Sequence, residues 1–248
     1  MRAADGLEAE LIIEDDPPIG RERIRVRHPD GRVQELRLHD YEQLYALPGV
    51  YEQIVSERLE CRSPQELAGM LAETVDTLGW DRASMRVIDI AAGNGISGEA
   101  LAAVGLRPVL GSDIVPAARA AALRDRPGVY DDYVTLDLLG LSDQERAQIA
   151  ALNATILSCV APVGEGGVPG DVLAAAAGLL TGDALVAYLH DVHLGRTDPV
   201  TDRFWRDHLG DAAHAEELIR RRYVHRRTLN GAPYEMEGVV WRLRRRAG

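Results

Sequence analysis

The sequence predicts a doubly wound α/β protein on three observations. After Trp80, short apolar and β-branched runs alternate with segments of helical spacing. The first of these runs opens into a glycine-rich turn, "VIDIAAGNG". The chain then closes on two long strand-like runs around Asn230-Gly231, a strong hairpin signal. Strand–helix alternation implies right-handed crossovers and a mostly parallel sheet with helices on both faces, and the hairpin makes the last strand antiparallel to its neighbour.

Residues 1–38 read as an N-terminal arm followed by a hairpin. The first 20 residues are acidic and end in "DDPPIG", the composition of a mobile arm or linker. "RIRVRHPDGRVQELRL" places two β-rich runs around the turn signal Pro29-Asp30-Gly31. Ile24 and Val26 share a face, while Val33 and Leu36 differ in parity, which predicts a bulge or a non-strand stretch. Residues 39–80 have helical spacing, broken at Pro48-Gly49 and at Ser63-Pro64, where Ser63 reads as an N-cap with proline at the first helical position. Residues 81–248 form the core. Strands are expected at Arg86–Ile90, Val109–Asp113, Val134–Leu136, Ala154–Cys159 and Ala184–His190. Helices are expected at Ser97–Val104, Pro116–Arg124, Ser142–Leu152 and Pro169–Leu180, and the closing strands at Leu218–Thr228 and Tyr234–Arg244.

Composition narrows the function. The 248 residues carry 39 acids against 28 bases, a net charge of −11, and every base is arginine. The absence of lysine excludes a Schiff-base lysine and a Walker-type phosphate lysine. The acidic balance argues against nucleic acid or an anionic membrane as partner. The arginines of "IRRRYVHRR" and "WRLRRRAG" fit a local basic patch or the wet side of strands, with the strand reading favoured. Cys61 and Cys159 stand far apart, so neither a disulfide framework nor a zinc site is indicated. No segment has the length of a membrane span or the h-region of a signal peptide, so a cytoplasmic location is expected.

Gly93, Gly95 and Gly98 spell G-x-G-x-x-G, the dinucleotide pattern, yet Asp89 lies four residues before Gly93. A carboxylate at the strand's carboxyl end would repel a pyrophosphate on the helix N-terminus. It suits a cationic ligand instead. S-adenosylmethionine (SAM) offers an ammonium and a sulfonium and carries no phosphate. Asp113, closing "VLGSD" 20 residues after Gly93, is placed to accept from ribose hydroxyls, with Ile114 against an adenine. Asp137, in "YVTLDLLG", is placed to accept from the adenine amino group. Each acid alone reads better as a strand-end turn or helix cap; three at successive strand ends point to one crevice.

"VIDIAAGNG", "VLGSDIVP" and "LDLLGL", in this order, resemble the SAM-dependent methyltransferases of the Rossmann-like class. More narrowly, "GVYDDYVTLDL", "SCVAPVGEGGVPGDVLAAAAGLL" and "YVHRRTLNGAPYEMEGVVWRL" resemble the Williams–Beuren-region methyltransferase-like group, over roughly Tyr41 to Leu243. The resemblance implies a seven-stranded sheet with an antiparallel final strand. It implies that Asp89, Ala91, Gly93, Asn94 and Gly95 cradle the methionine part of SAM. Asp113 and Ile114 would hold ribose and adenine, Asp137 and Leu138 the adenine edge, and Ser158 would sit near the transferable methyl. Two positions depart from the family: Ala91 replaces the loop's first glycine, and Gly167 stands where many relatives carry a histidine before Val-Pro.

Methyl transfer is an in-line displacement that gains most from alignment and needs a base only if the acceptor must lose a proton. "YLHDVHLG" supplies the candidates His190, Asp191 and His193, with Asp191 orienting His190; they read equally well as loop residues bonded to backbone. H-D-x-H also suggests a metal site, but the catechol-type methyltransferases pair such a loop with an acid after the fourth strand, where Ser158-Cys159 stand here, so no metal is expected. The helical segment would cover the SAM pocket with Tyr41, Tyr45 or Tyr51. Tyr45, Tyr51, Glu165 and Trp205 are the candidate contacts to a small-molecule acceptor, with Phe204 and Trp205 as a lid. A homodimer is a further expectation, since an exposed strand edge invites pairing. The rivals are an NAD-dependent oxidoreductase and a SAM-binding protein without catalysis.

Overall fold

The computed structural model describes residues 6–13, 19–164, 166–194, 197–210 and 213–245. The N-terminal region is an antiparallel sheet of three strands, β1 (Glu8–Ile12), β2 (Arg23–Arg27) and β3 (Val33–Arg37), in that order. The expected arm therefore contains a strand. Ala9 and Leu11 of β1 pair with Val26 and Ile24 of β2, so the acid-rich stretch still carries the period-two apolar face that pairing needs. No bulge forms between β2 and β3: the register runs evenly from Arg23↔Arg37 to Arg27↔Val33, and Val33 lies on solvent.

Helix α1 (Tyr41–Tyr45) and a wide-turn π-helical segment, Glu52–Arg58, follow on either side of Pro48-Gly49. Leu44, Val50, Ile54 and Leu59 pack against Leu7, Ile24, Val26 and Leu36, so sheet and helical segment share one apolar core. The buried Gln53 side chain ties them further, accepting from Ala9 N at 3.0 Å and donating to Leu7 O at 3.3 Å. Helix α2 (Ser63–Thr77) starts at the expected place. Its Ser63 hydroxyl does not cap the helix: it bonds the Tyr223 hydroxyl at 2.7 Å and His225 Nδ1 at 2.6 Å.

From Arg86 strands and helices alternate: β4 (Arg86–Ile90), α3 (Ile96–Ala103), β5 (Arg107–Asp113), α4 (Pro116–Asp125), β6 (Asp132–Thr135), α5 (Asp143–Ala150), β7 (Ile156–Pro162), α6 (Gly170–Ala177) and β8 (Asp183–His190). Helix α7 (Asp202–Leu209) leads to the hairpin β9 (Ala213–Arg227) and β10 (Pro233–Arg245). The seven-stranded sheet has the order β6-β5-β4-β7-β8-β10-β9, with β10 antiparallel to both its neighbours. Burial on both faces follows from alternation along each strand. On β8, Val186 and Tyr188 join the core under α6 and α7, while Leu185, Ala187 and Leu189 join Leu67, Met70 and Leu71 of α2. Each fully buried side chain of this size contributes about 1.5–3 kcal/mol.

The N-terminal region docks on the sheet through a buried ion pair between Glu22 and Arg226 of β9, with the guanidinium 5.8 Å from the centre of the Tyr234 ring. Among the described residues, no helix is long and apolar enough to cross a membrane.

Candidate functional site

The sheet order reverses between β4 and β7, which opens a crevice outside their carboxyl ends. Asp89 of β4 and Ser158 of β7 are register partners there, and both are fully buried. Asp89 Oδ2 accepts hydrogen bonds from Ser97 Oγ (2.5 Å) and the Tyr130 hydroxyl (2.7 Å). Asp89 Oδ1 and Ser158 Oγ are buried without a hydrogen-bond partner. An unsatisfied buried polar group costs about 1–3 kcal/mol, so two on adjacent strands form a polar niche that a ligand would relieve. Burial pushes the Asp89 carboxyl up to about 6, against the lowering effect of the Ser97, Tyr130 and Ser158 hydroxyls; Ser158 Oγ lies close enough to favour the carboxylate but outside hydrogen-bond geometry.

The glycine turn is shaped by what approaches it. Ala91, Gly93 and Gly95 all have positive φ, at 50°, 53° and 87°. Gly93 N donates to Asp113 Oδ2 at 2.9 Å, and its carbonyl accepts from the Tyr133 hydroxyl at 2.7 Å. The third glycine serves Tyr130 rather than a phosphate: Gly98 N donates to the Tyr130 hydroxyl at 3.0 Å, and a Cβ on Gly98 would lie 2.4 Å from Tyr130 Cζ. Glycine-to-alanine in a helix usually stabilises by about 1 kcal/mol. Gly98→Ala is expected to do the opposite and destabilise by about 1–3 kcal/mol through overpacking, read as a lower denaturation midpoint at unchanged slope.

The helical segment closes over this turn. The Tyr45 hydroxyl would lie 2.5 Å from a Cβ on Gly93, and the Tyr45 ring sits 5.2 Å from that of Tyr51 and 5.6 Å from that of Tyr41. Asn94 Nδ2 donates to Glu52 Oε1 at 2.7 Å. Arg126 clamps the same place, donating to Glu52 Oε1 (2.8 Å) and Asn94 O (3.1 Å). Tyr130, Tyr133, Glu52, Arg126 and Ser97 were not singled out from the sequence. Both tyrosines precede the strand expected at Val134–Leu136, and the partners of Glu52 lie 42 and 74 residues away.

Of the other residues expected to hold a cofactor, Asp113 ends β5 half-buried; burial raises its pKa against the Val115 and Gly93 backbone donors. Ile114 is 69% exposed, an apolar side chain presented beside that carboxylate. Leu138 is buried, whereas Asp137 is exposed just beyond β6, with Oδ1 accepting from Leu139 N in a local turn.

The catalytic candidates do not assemble as expected. His190 Nδ1 faces Glu237 Oε2 at 3.3 Å, and His190 lines a cleft of about 630 Å³ with Asp198, Arg220 and Trp241. Asp191 Oδ2 instead accepts from the Tyr234 hydroxyl at 2.7 Å, and Oδ1 from His193 N at 2.9 Å. The His193 ring stacks on Tyr234 at 4.5 Å. Consecutive residues leave a strand toward opposite faces, so Asp191 does not orient His190. Trp205 is no surface lid: it is fully buried, packed edge-on to Trp241 and Phe204. Glu165 lies outside the described residues. Gly167 tolerates no side chain, since a Cβ would lie 1.9 Å from Pro162 O. Cys61 and Cys159 are free thiols, and among the described residues no three His, Cys, Asp or Glu side chains gather to hold a metal.

No protein-family model matches the chain, and no curated protein does. Solved structures do. A SAM-dependent methyltransferase from Anabaena variabilis matches with a TM-score of 0.50 at 15% identity, over 84% of this chain and 95% of its own. A provisionally assigned RNA methyltransferase from Pyrococcus horikoshii matches with a TM-score of 0.50 at 15% identity, over 75% of this chain and 84% of its own. A magnesium protoporphyrin IX methyltransferase from Synechocystis, solved with bound SAM, is a weaker likeness, with a TM-score of 0.46 at 15% identity over 73% and 80% of the two chains. The first two show the fold: this chain has the α/β architecture of SAM-dependent methyltransferases.

Proposed function

We propose that the protein is a SAM-dependent methyltransferase acting on an oxygen or nitrogen of a small molecule. The observation that carries this reading is the pair of unpartnered buried atoms, Asp89 Oδ1 and Ser158 Oγ, beside a glycine turn that closely approaching side chains shape. The niche is anionic and polar, which fits an ammonium-bearing ligand and opposes a pyrophosphate. Bound SAM supplies an electrophilic methyl on a cationic sulfur. The Asp89 carboxylate and the Gly93–Gly95 turn would hold its amino-acid part, Asp113 its ribose, and Ile114 and Leu138 its adenine. Tyr45 and Tyr51 would exclude water from the turn, and Tyr234, His193 and Asp191 would border the acceptor.

Calorimetric titration of the full chain with SAM, S-adenosylhomocysteine and NAD tests this. The two sulfur ligands are expected to bind and NAD to fail. Asp113→Ala is expected to weaken SAM binding on the order of 10- to 100-fold, the loss of charge-assisted hydrogen bonds. NAD binding in place of SAM would refute the reading.

A second reading, a SAM-binding protein without turnover, is favoured by Gly167, where the loop has no room for the histidine that the sequence resemblance leads one to expect. Methylation of any acceptor by the purified protein would exclude it.

A further inference from the structure

The three tyrosines that touch the glycine turn differ in what they hold. Tyr45 lies over Gly93 from the lid, and Tyr133 donates to the Gly93 carbonyl. Tyr130 reaches the acid itself. Its hydroxyl accepts from Gly98 N at 3.0 Å, an amide at the start of α3, and donates to Asp89 Oδ2 at 2.7 Å. Its ring fills the space that Gly98 and Gly111 leave free, where a Cβ would lie 2.4 Å and 3.0 Å from ring atoms. With Oδ2 held by Tyr130 and Ser97, Oδ1 is the face of the carboxylate without a geometric hydrogen bond, with the Ser158 hydroxyl of the neighbouring strand beside the carboxylate.

We infer that Tyr130 is a positioning residue for the cofactor: its hydroxyl, locked by the Gly98 amide and seconded by Ser97, fixes Asp89 so that Oδ1 faces the ammonium of the ligand. The same hydroxyl occupies the helix-terminal amide that a dinucleotide fold turns toward pyrophosphate, so Tyr130 also selects against phosphate. The inference rests on the SAM-binding reading above.

Tyr130 and Ser97 favour the ionised form of Asp89 by donating to it, and the Ser158 hydroxyl from β7 adds to them, while burial opposes it. The other titratable groups facing Asp89 are Asp113 from β5, Tyr133 from β6 and Cys159 from β7. Asp113 raises Asp89, and burial pushes the Cys159 thiol up to about 12 and the Tyr133 phenol well above its usual range, which keeps both neutral near pH 7.

The test is calorimetric titration of the full chain with SAM between pH 5 and 8, for the wild type, Tyr130→Phe and Ser97→Ala. Wild-type affinity is expected to rise with pH around a midpoint near 6, where Asp89 ionises. Each variant removes one donor to the carboxylate, so its midpoint is expected to move upward by about one unit, with affinity reduced about twofold at pH 7 and approaching about tenfold toward pH 5. A purely structural role would lower Tm and leave the midpoint in place. Ser97→Ala changes a single small side chain, so it keeps the test alive should Tyr130→Phe fail to fold. An unmoved midpoint in the folded variants overturns the inference while leaving the SAM reading intact. A wild type that binds no SAM at any pH overturns the reading itself, and the inference with it.

Discussion

Asp89→Asn is expected to stabilise the ligand-free protein by up to about 3 kcal/mol at pH 7.5 while reducing SAM affinity on the order of 100-fold. Asp89 titrates at about 6 in the folded chain because burial opposes its charge, whereas an unfolded aspartate titrates at about 3.9. Between these values the folded state binds more protons than the unfolded state, so stability falls as pH rises from about 4 to about 6 and stays lowered above. Asparagine keeps an acceptor for Ser97 and Tyr130 and removes the charge. Its advantage should therefore vanish below pH 4 and be full above pH 6. Urea denaturation of both proteins from pH 3.5 to 7.5 measures the curve. A wild type as stable as Asp89→Asn throughout would mean that the carboxylate is solvated or compensated, and the niche would lose its meaning as a stored site. Stability given up for an ionised group at a ligand site is a common trade.

Trp205→Ala is expected to destabilise by about 3–5 kcal/mol, lowering Tm by roughly 10 °C for a chain of this size. Trp205 lies with the α7-side core, touching Phe204 and Trp241, so its removal leaves a cavity between α7 and the sheet. Trp205→Phe retains most of the packing and is expected to lose far less. Calorimetric melting of the two variants separates packing from acceptor binding. A contact to acceptor would leave Tm unchanged for both and raise KM instead.

The layered architecture was legible because its signals are local. Apolar runs of four to eight residues between helical spacings mark strands buried on both faces, and Asn230-Gly231 fits a turn in which Gly231 adopts φ 82° and Asn230 Oδ1 accepts from Ala232 N. The placement of Asp89, Asp113 and Asp137 at or just beyond the ends of β4, β5 and β6 follows from the same strand assignments. β1 was hidden because Glu8 and Glu10 alternate with Ala9 and Leu11, and acid-rich composition masks a two-residue period that only pairing with β2 makes visible.

By itself, then, the sequence determined the order of strands and helices, the antiparallel closing strand and the acid beside the glycine turn, since each depends on residues a few positions apart. Tertiary structure decided which side chains meet. It placed Tyr130 on Gly98 and Asp89 across 32 and 41 residues, turned His190 toward Glu237 and Asp191 toward Tyr234, and sank Trp205 into the core. The physical reason is the same in each case. A hydrogen bond or a ring contact is settled by the face and register at which distant strands pack, and neither is written in the spacing of neighbouring residues.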